Sequence, residues 1–556
     1  MILFGGLRYP RKSASCRSEI WPAAYHDRPQ PGKQRYYVGA MIRSFLTVST
    51  GTLASRLLGF ARDSIIAALL GTGAVADAFL AAFQLVNVVR RLLSEGALNT
   101  ALIPAWLRVR DRDGEAAASA FAGRVLGTVS AALIAISIVI ALVMPLIITV
   151  IAPGFLGSGT LDLAVANARL MLPYLAFAGP VTVLMGLLNA QGRFALTAFS
   201  PLLFNIALIA AIAMLLVWHA DAGSAAWMLA ATVGVAGLLQ LLMLLSQRSA
   251  RLATPLRISF DQEMRAFFAK AIPGMIASSG PQWLMVAGAI IASATPSAVS
   301  WLYFANRLIE LPLGIVGVAM GTVLVPELTR AVRSGDRDAV AHAESRALEL
   351  ATGLALPATL GLIVLAEPIV RLLFEHGAFG ADDSTATAHA LMWLALGLPA
   401  HVLIKALSPA YYARSDTMTP LLATAKGFVV AIALAVVLGH VLGASGIAAS
   451  IAAGAWSSAI SLLRKGTSEF GFSVDAAARN RLPRIVLAAA AMGALLWLTT
   501  DLSPAEAHGL IRFIVLGLQI AAGIAVYGVL LQVLGAASWR EAANVLKRPA
   551  RTESEA

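Results

Sequence analysis

The chain has 556 residues, of which 58% are hydrophobic and 13% are charged. Because charged residues make up about 25% of soluble domains, this composition excludes an ordinary soluble protein and indicates a polytopic membrane protein. Cys16 is the only cysteine, which excludes a disulfide framework and a cysteine-based metal site within one chain.

Residues 1–40 differ from the rest in being basic and rich in proline, with no apolar run long enough for the core of a signal peptide. Two interpretations stay open. The segment is a disordered cytoplasmic extension, or it follows an upstream start codon assigned in error, with Met41 as the natural beginning. In either case we expect no role for Cys16.

Hydrophobic segments long enough to cross a bilayer as helices recur along the rest of the chain. They lie at 44–70, 77–107, 118–152, 164–190, 195–217, 226–247, 264–292, 298–329, 346–372, 388–413, 419–440, 445–463, 483–500 and 510–533. The sequence therefore predicts an all-α membrane protein with fourteen transmembrane helices. Several segments exceed the necessary length, so we expect them to tilt or to bend at proline.

The loops between these segments alternate in basic residues. One set, which includes 71–76 and 153–163, contains no Lys or Arg, whereas the other carries Arg108, Arg193 and Arg257 among others. The positive-inside rule places the basic loops and both termini in the cytoplasm. This distribution also explains the net charge of +12 without a nucleic-acid partner.

An internal repeat joins the two halves of the chain. ALNTALIP at 97–104 resembles AMGTVLVP at 319–326, and shorter matches at 175–180 and 200–203 recur about 220 residues later. An offset of six helices preserves the orientation of the repeat, which is a transporter design with the substrate site between the lobes. We expect a first lobe at 41–257, a second at 258–476, an added helix pair at 477–536 and a cytoplasmic tail at 537–556.

Charged residues interrupt the first two spans, although one such residue costs roughly 2.5–3.5 kcal/mol at the centre of a membrane helix. At about 100° per residue, the polar side chains of each span fall on one stripe. The stripe of the first span contains Thr52, Ser55, Arg56, Gly59, Arg62 and Asp63. The stripe of the second contains Asp77, Gln84, Asn87, Arg91, Glu95 and Asn99, and it leaves Arg90 outside.

The eighth span has a similar face, made of Ser300, Tyr303, Arg307, Glu310, Gly314, Gly317 and Gly321. One interpretation of the three faces is a cationic, water-accessible cavity that binds an anion. The other is buried pairing of arginine with acids, or a small-residue packing seam, that only holds helices together. The candidate substrate-binding residues are Arg56, Arg62, Asp63, Asp77, Arg90, Arg91, Glu95, Ser300, Arg307 and Glu310.

Other polar positions are weaker candidates. Lys405 lies within the tenth span, where it either snorkels to the cytoplasmic end or binds substrate. We expect Asp382 and Asp383 to be a solvated pair in an outer loop. No Walker sequence, nucleophile elbow, paired-carboxylate signature or metal-ligand spacing is present, so we expect no ATP hydrolysis, no cofactor and no bound metal.

Four stretches resemble one known family: SRLLGFARD, ADAFLAAF with the following RRLLSEGA, YFANRLIELPLGIVGVAMGTVLVP and SPAYYARSDTMTP. They are similar to the MurJ (MviN) lipid II flippases of the multidrug/oligosaccharidyl-lipid/polysaccharide exporter superfamily, over about 41–533. The resemblance implies movement of lipid II, an undecaprenyl-pyrophosphate-linked muropeptide, from the cytoplasmic to the periplasmic leaflet of the bacterial inner membrane for peptidoglycan synthesis.

The resemblance also implies residue roles. The arginines that match Arg56, Arg62, Arg90 and Arg307 are required in the family, and the acid that matches Asp77 matters. The helical wheel favours Arg91 over Arg90, so both stay candidates. The last helix pair borders a groove suggested for the polyprenyl tail. This sequence departs from many relatives at Gln84, Val86 and Asn306, where they carry Lys, Pro and Asp.

The sequence thus predicts a monomeric, secondary-type lipid II flippase, driven by membrane potential or an ion gradient, that works by alternating access. Arg56, Arg62 and Arg307 are expected to bind the pyrophosphate, Arg90 or Arg91 to guide entry, and Asp77 to gate the site. Two alternatives stay open. One is a cation-coupled multidrug or other lipid-linked oligosaccharide exporter of the same superfamily, and the other is a membrane enzyme that polymerises lipid-linked sugars.

Overall fold

The computed structural model describes residues 31–536 except 95–96, 247–252, 279, 321–323, 325–326, 329, 332–335, 415, 473 and 501–508. Within these residues the backbone forms helices and no β-strand. The helices are α1 Pro31–Leu70, α2 Ala74–Ser94, α3 Ala97–Leu142, α4 Met144–Ile151, α5 Gly159–Met171, α6 Pro173–Ala190, α7 Phe194–Val217, α8 Ala222–Leu245, α9 Gln262–Ser278, α10 Gly280–Ala292, α11 Ala298–Ala319, α12 Arg337–Val364, α13 Ala366–Phe374, α14 Ala381–Ala413, α15 Met418–Glu469, α16 Ala476–Leu498 and α17 Leu510–Val533.

The helices suit a bilayer in both length and surface. Nine helical stretches in the described part of the chain are long and apolar enough to cross a membrane. Large apolar side chains such as Leu142, Val217 and Val533 are exposed on the outside of the molecule, where they match hydrocarbon. The all-helical membrane fold is confirmed, and the count of fourteen spans stays a prediction.

Glycines separate several helices where the sequence predicted breaks. The predicted turn at 71–73 lies between the end of α1 and the start of α2. Gly114, with φ of 87°, interrupts α3 between the second and third predicted spans. Gly443, with φ of 57°, interrupts α15 between the eleventh and twelfth. Residues other than glycine rarely adopt a positive φ. Glycine adopts it at little cost and therefore suits the end of each span.

Two predicted spans that contain proline are each divided into a longer and a shorter helix, in line with the expected bends at proline. The segment 118–152 breaks at Val143, and α4 begins with Pro145 in its first turn. The segment 346–372 breaks at Leu365, and α13 begins with Pro368 in its first turn. Proline lacks an amide hydrogen, which is tolerated in the first turn of a helix but breaks a helix interior.

The turn after α1 packs against the segment between α13 and α14, on the side whose loops lack basic residues. The backbone amide of Ala378 donates to the carbonyl of Ala68 over 2.8 Å. A Cβ atom on Gly71 would lie 2.6 Å from the carbonyl oxygen of Ala378. The two halves of the chain therefore meet here at backbone distance, which closes this side of the molecule.

Asp383 completes this closure. Its Oδ1 accepts hydrogen bonds from Thr72 Oγ1 over 2.6 Å and from Trp301 Nε1 over 3.0 Å, and its side chain is half-buried. The prediction of a solvated pair was therefore wrong for Asp383, whereas Asp382 is exposed. The sequence could not reveal the partners because they lie on α11 and in the turn after α1.

The described part of the linker between the halves is bound to the first half. Arg124 of α3 forms ion pairs with Asp261 over 2.6 Å and with Glu263 over 2.7 Å. Hydrogen bonds from the backbone amide of Met264, from the Ser259 hydroxyl and then from Arg124 hold the pKa of Asp261 below its usual value. The end of the linker is thus fastened to α3 at the point where α9 begins.

The last two helices pack on α12. Tyr527 Oη donates to the carbonyl of Gly353 over 2.7 Å, and Leu496 lies in one buried apolar cluster with Leu365. The opposite face of α17 exposes Leu518 and Ile524. The pair therefore has one side against the second half of the chain and another suited to lipid.

Replacing Gly71 by alanine tests the closed side, and Gly471 provides a matched control. The φ angles of the two glycines are 63° and 69°, so alanine costs about 1–2 kcal/mol of backbone strain at either. Only at Gly71 does the new methyl group meet Ala378, while Gly471 faces open space. Crowding costs about 1–3 kcal/mol more. We expect Gly71→Ala to lower the thermal unfolding midpoint more than Gly471→Ala. Equal midpoints would mean that this contact does not stabilise the protein.

Candidate functional site

A buried carboxylate joins two arginines from opposite halves of the chain. Asp63 of α1 is completely buried, and its Oδ1 accepts from Arg62 Nη2 over 2.6 Å. Its Oδ2 lies 2.7 Å from Nε of Arg307 on α11. Tyr303 Oη also donates to Oδ1, over 3.4 Å. Since a buried charge is tolerated only when it is paired, these contacts make Asp63 a fixed link between α1 and α11.

Arg62 is enclosed by side chains of the first half. Its Nη1 donates to Asn205 Oδ1 on α7 over 2.9 Å, and Asn205 in turn donates to the backbone carbonyl of Ser55. The guanidinium carbon lies 5.1 Å from the ring centre of Phe83 and 5.7 Å from that of Phe204. The sequence analysis missed Asn205. A lone amide within an otherwise apolar span was the signal that could have identified it.

A second carboxylate lies between two other arginines. Glu310 Oε1 accepts from Arg91 Nη2 of α2 over 2.6 Å, and Oε2 accepts from Arg307 Nη1 over 2.8 Å. Arg91 therefore faces α11, as the helical wheel predicted. Arg90 points elsewhere and donates to Asn87 over 3.2 Å. Glu95, the remaining candidate on this stripe, lies outside the described residues.

Asp77 lies at the start of α2 and caps α11. Its carboxylate accepts from the backbone amides of Ser297 and Ser300, each over 2.9 Å, and from Ser300 Oγ over 2.5 Å. The first amides of a helix have no partner within the helix, so a carboxylate there satisfies them and favours the helix dipole. The structure thus places Ser300 with Asp77 and not with the arginines.

Arg56 and Lys405 approach the glycines of α11. The guanidinium group of Arg56 occupies the space that a Cβ atom on Gly314 would fill. The Nζ atom of Lys405, on α14, lies 3.4 Å from the Cβ position of Gly317. The glycines on the polar face of α11 therefore admit two cations at its C-terminal end.

Two contacts between α1 and α11 show how these helices run relative to each other. Asp63 meets Arg307, and Arg56 meets Gly314, so seven residues separate the contacts on both helices. The helices therefore run antiparallel, and the two contacts lie about 10 Å apart. Asp77 contacts the start of α11, at the closed side.

The exposed fraction of these residues increases from the closed side towards the basic loops. Asp77 and Asp63 have 3% and 0% of their surface exposed, whereas the side chains of Arg307, Glu310 and Arg91 are 20%, 24% and 29% exposed. The groups nearer the basic loops therefore retain contact with solvent. The exposed side chains of the described cluster therefore lie towards the basic loops.

The cluster has a buried part and a more exposed part, so each of the two interpretations from the sequence stays a prediction for one part. Arg62 and Asp63 form a buried pair that joins helices. Arg91, Arg307 and Glu310 form the accessible part. Among the described residues of the cluster, three guanidinium groups face two carboxylates, which leaves one positive charge in excess before Arg56 is counted. Among the described residues, no group of three His, Cys, Asp or Glu side chains could hold a metal ion.

Comparison with known proteins identifies the family. A family model described as lipid II flippase MurJ matches residues 66–516, which is most of the chain. The chain belongs to the MurJ family. A probable lipid II flippase MurJ from Rhizobium tropici is 37% identical over 507 residues, covering 89% of this chain and 95% of the relative. Another from Rhizobium meliloti (strain 1021) is 37% identical over 530 residues, covering 93% and 98%.

Solved structures share the fold. A lipid II flippase MurJ in an inward closed conformation superposes with a TM-score of 0.72 at 23% identity, covering 88% of this chain and 98% of that one. An inward-facing MATE family transporter of the MOP superfamily superposes with a TM-score of 0.63 at 15% identity, covering 80% and 98%. The MurJ family fold is therefore shared with exporters, and members of the MurJ family are transporters and not enzymes.

Removing the carboxylate of Asp77 tests its role as a cap between the two halves. Asp77→Ala leaves the buried first amides of α11 without an acceptor, so we expect a loss of about 3 kcal/mol of stability. Asp221→Ala is the matched control, because Asp221 caps α8 within one half and is exposed. We expect a smaller loss there. Thermal unfolding of both purified variants measures the difference, and equal losses would contradict the proposed importance of Asp77.

Proposed function

We propose that the chain moves lipid II from the cytoplasmic to the periplasmic leaflet of the bacterial inner membrane. The observation that supports this most strongly is the meeting of arginines from α1, α2 and α11 at a partly exposed place with excess positive charge. The planar, doubly donating guanidinium group suits phosphate oxygens better than the point charge of lysine. Membership of the MurJ family makes lipid II the substrate that this chemistry fits.

The accessible arginines are the proposed ligands of the pyrophosphate. Arg56, Arg91 and Arg307 belong to this set because each retains exposed surface. Arg62 is instead a positioning residue, since Asp63, Asn205 and two aromatic rings enclose it. Asp77 and Ser300 belong to the gate on the closed side. We expect Arg90 to act through α2 and not by direct contact with the bound head group.

Alternating access requires two lobes, and we place them at 41–257 and 258–476. Local structure supports this division. The breaks at Val143 and Leu365 lie 222 residues apart, the same offset as the sequence repeat, and each precedes a short helix with proline in its first turn. The fourteen-span count, cytoplasmic termini, monomeric state and drive by an ion gradient or membrane potential belong to the same proposal.

A lipid-linked substrate also needs a path for its tail. The polyprenyl chain cannot enter a wet, charged site, so it stays in hydrocarbon while the head group crosses. The pair α16 and α17, at 477–536, exposes an apolar face beside α12 and is the proposed border of that path.

Export of cationic drugs is the weaker alternative. A cavity that binds cations favours acids and aromatic rings without excess arginine. In this chain the accessible part of the cluster has positive charge in excess. The cluster therefore favours an anionic substrate.

Arg56→Ala tests the proposed function with little risk to the fold. Arg56 is exposed and has no ion-pair partner among the described residues, so its removal leaves no buried acid uncompensated. Loss of one charged hydrogen bond, worth about 1.5–3 kcal/mol, predicts a roughly tenfold to hundredfold fall in lipid II translocation. Translocation is measured in liposomes that contain the purified protein.

Arg169→Ala is the matched control, because Arg169 is exposed and donates a hydrogen bond to the carbonyl of Ala141, outside the cluster. We expect it to translocate lipid II at the wild-type rate. Normal translocation by Arg56→Ala at an unchanged unfolding midpoint would remove Arg56 from the proposed site.

Cysteine labelling tests the proposed topology. In a Cys16→Ser background, Ser158→Cys and Ser468→Cys place single thiols at exposed positions on the two predicted sides of the membrane. Ser158 lies in a loop without basic residues, and Ser468 lies in the last turn of α15, next to Arg464 and Lys465. The positive-inside rule puts Ser158 outside and Ser468 in the cytoplasm. We expect a membrane-impermeant maleimide to label Ser158→Cys in intact spheroplasts and Ser468→Cys only after permeabilisation. The opposite pattern would invert the proposed orientation.

A further inference from the structure

Glu310 lies where arginines from the two proposed lobes converge. Each of its two carboxylate oxygens accepts from a different guanidinium group, Arg91 on α2 and Arg307 on α11, over 2.6 and 2.8 Å. Two oxygens of one phosphate group would make the same pair of contacts, since arginine binds carboxylates and phosphates with similar geometry. The carboxylate therefore occupies the place where an anionic ligand would be held.

The two carboxylates of the cluster differ in their accessibility. Asp63 is completely buried, so no solute reaches it without separation of α1 and α11. Glu310 is 24% exposed and its partner Arg91 is 29% exposed. An incoming anion can thus compete for the partners of Glu310, but not for those of Asp63.

We propose that Glu310 is a resident counter-anion, which the diphosphate of the substrate displaces from Arg91 and Arg307. This inference rests on the proposed function, and it changes the role of Glu310 from substrate ligand to competitor. In the empty site Glu310 neutralises the arginines and links α2 to α11. With substrate bound, the diphosphate takes both arginines, and Glu310 turns towards solvent.

Displacement has two physical consequences. The bond between α2 and α11 through Glu310 is lost on binding, which frees one of the contacts that hold the lobes in their present arrangement. The released carboxylate remains close to the diphosphate and repels it. Glu310 therefore lowers the affinity of the site and favours release of the head group, which a carrier needs in every cycle.

Glu310→Gln in the full-length protein tests this proposal. The amide keeps the shape of the side chain but removes the charge that competes for the arginines. By calorimetry with inorganic pyrophosphate as the probe, we expect about tenfold tighter binding than in the wild type, because a charged hydrogen bond no longer has to be broken. In liposomes, we expect slower translocation of lipid II because release becomes slower.

Two further variants serve as controls. Glu349→Gln breaks an arginine–glutamate pair between α12 and α16, outside the cluster, and we expect no change in pyrophosphate affinity. Glu310→Asp keeps the negative charge on a shorter side chain, and we expect its affinity to stay much closer to the wild-type value than that of Glu310→Gln. Unfolding midpoints of all variants verify that each one folds.

The outcomes separate this proposal from the proposed function. Unchanged or weaker pyrophosphate binding by folded Glu310→Gln, with binding lost in Arg56→Ala, would reject the counter-anion and keep the anion site. Unchanged binding in both variants, or no binding by the wild type, would reject the anion site itself. Tighter binding with faster translocation would reject the role of Glu310 in release.

Discussion

The buried carboxylate of Asp63 is the contact on which the arrangement of the site depends. A carboxylate removed from water requires cations close by, and breaking a buried pair costs about 3–5 kcal/mol because a charge is left uncompensated. Asp63 is paired with Arg62 on its own helix and with Arg307 on α11. This requirement fixes the rotation of both helices and therefore decides which of their other residues face the space between them.

The interface between the two halves of the chain is buried at one end, and its side chains are partly exposed at the other. On the side without basic loops the halves meet through backbone atoms and through the buried carboxylate of Asp77. Towards the basic loops the contacts are made by long side chains with exposed surface. Long side chains can rearrange around a ligand without movement of the backbone. This arrangement supports the proposal of a carrier that opens towards the basic loops.

The sequence predicted the side of a helix on which a charged residue lies better than it predicted how deeply that residue is buried. The helical wheel placed Arg91 and Glu310 on facing stripes and left Arg90 aside, because rotation along a helix depends only on spacing. It could not separate the buried Asp63 from the accessible Glu310, since burial depends on how closely the helices approach. Asp383 was misjudged because its partners, Thr72 and Trp301, are 311 and 82 residues away in the sequence. Bends at proline were expected in the long spans, but length alone does not locate a break.

The presence of acids among the arginines follows from the need of a carrier to return empty. A set of unpaired guanidinium groups would bind a diphosphate strongly, but without ligand those groups would face one another in a space of low dielectric, where like charges repel strongly. Carboxylates reduce this cost in the empty state. In our proposal, an anion that arrives can displace an accessible carboxylate such as Glu310 from its arginines. Pairing that holds the helices together and a site for a diphosphate are thus not competing interpretations. In the proposed cycle, the same ion pairs serve the empty and the loaded states of the carrier.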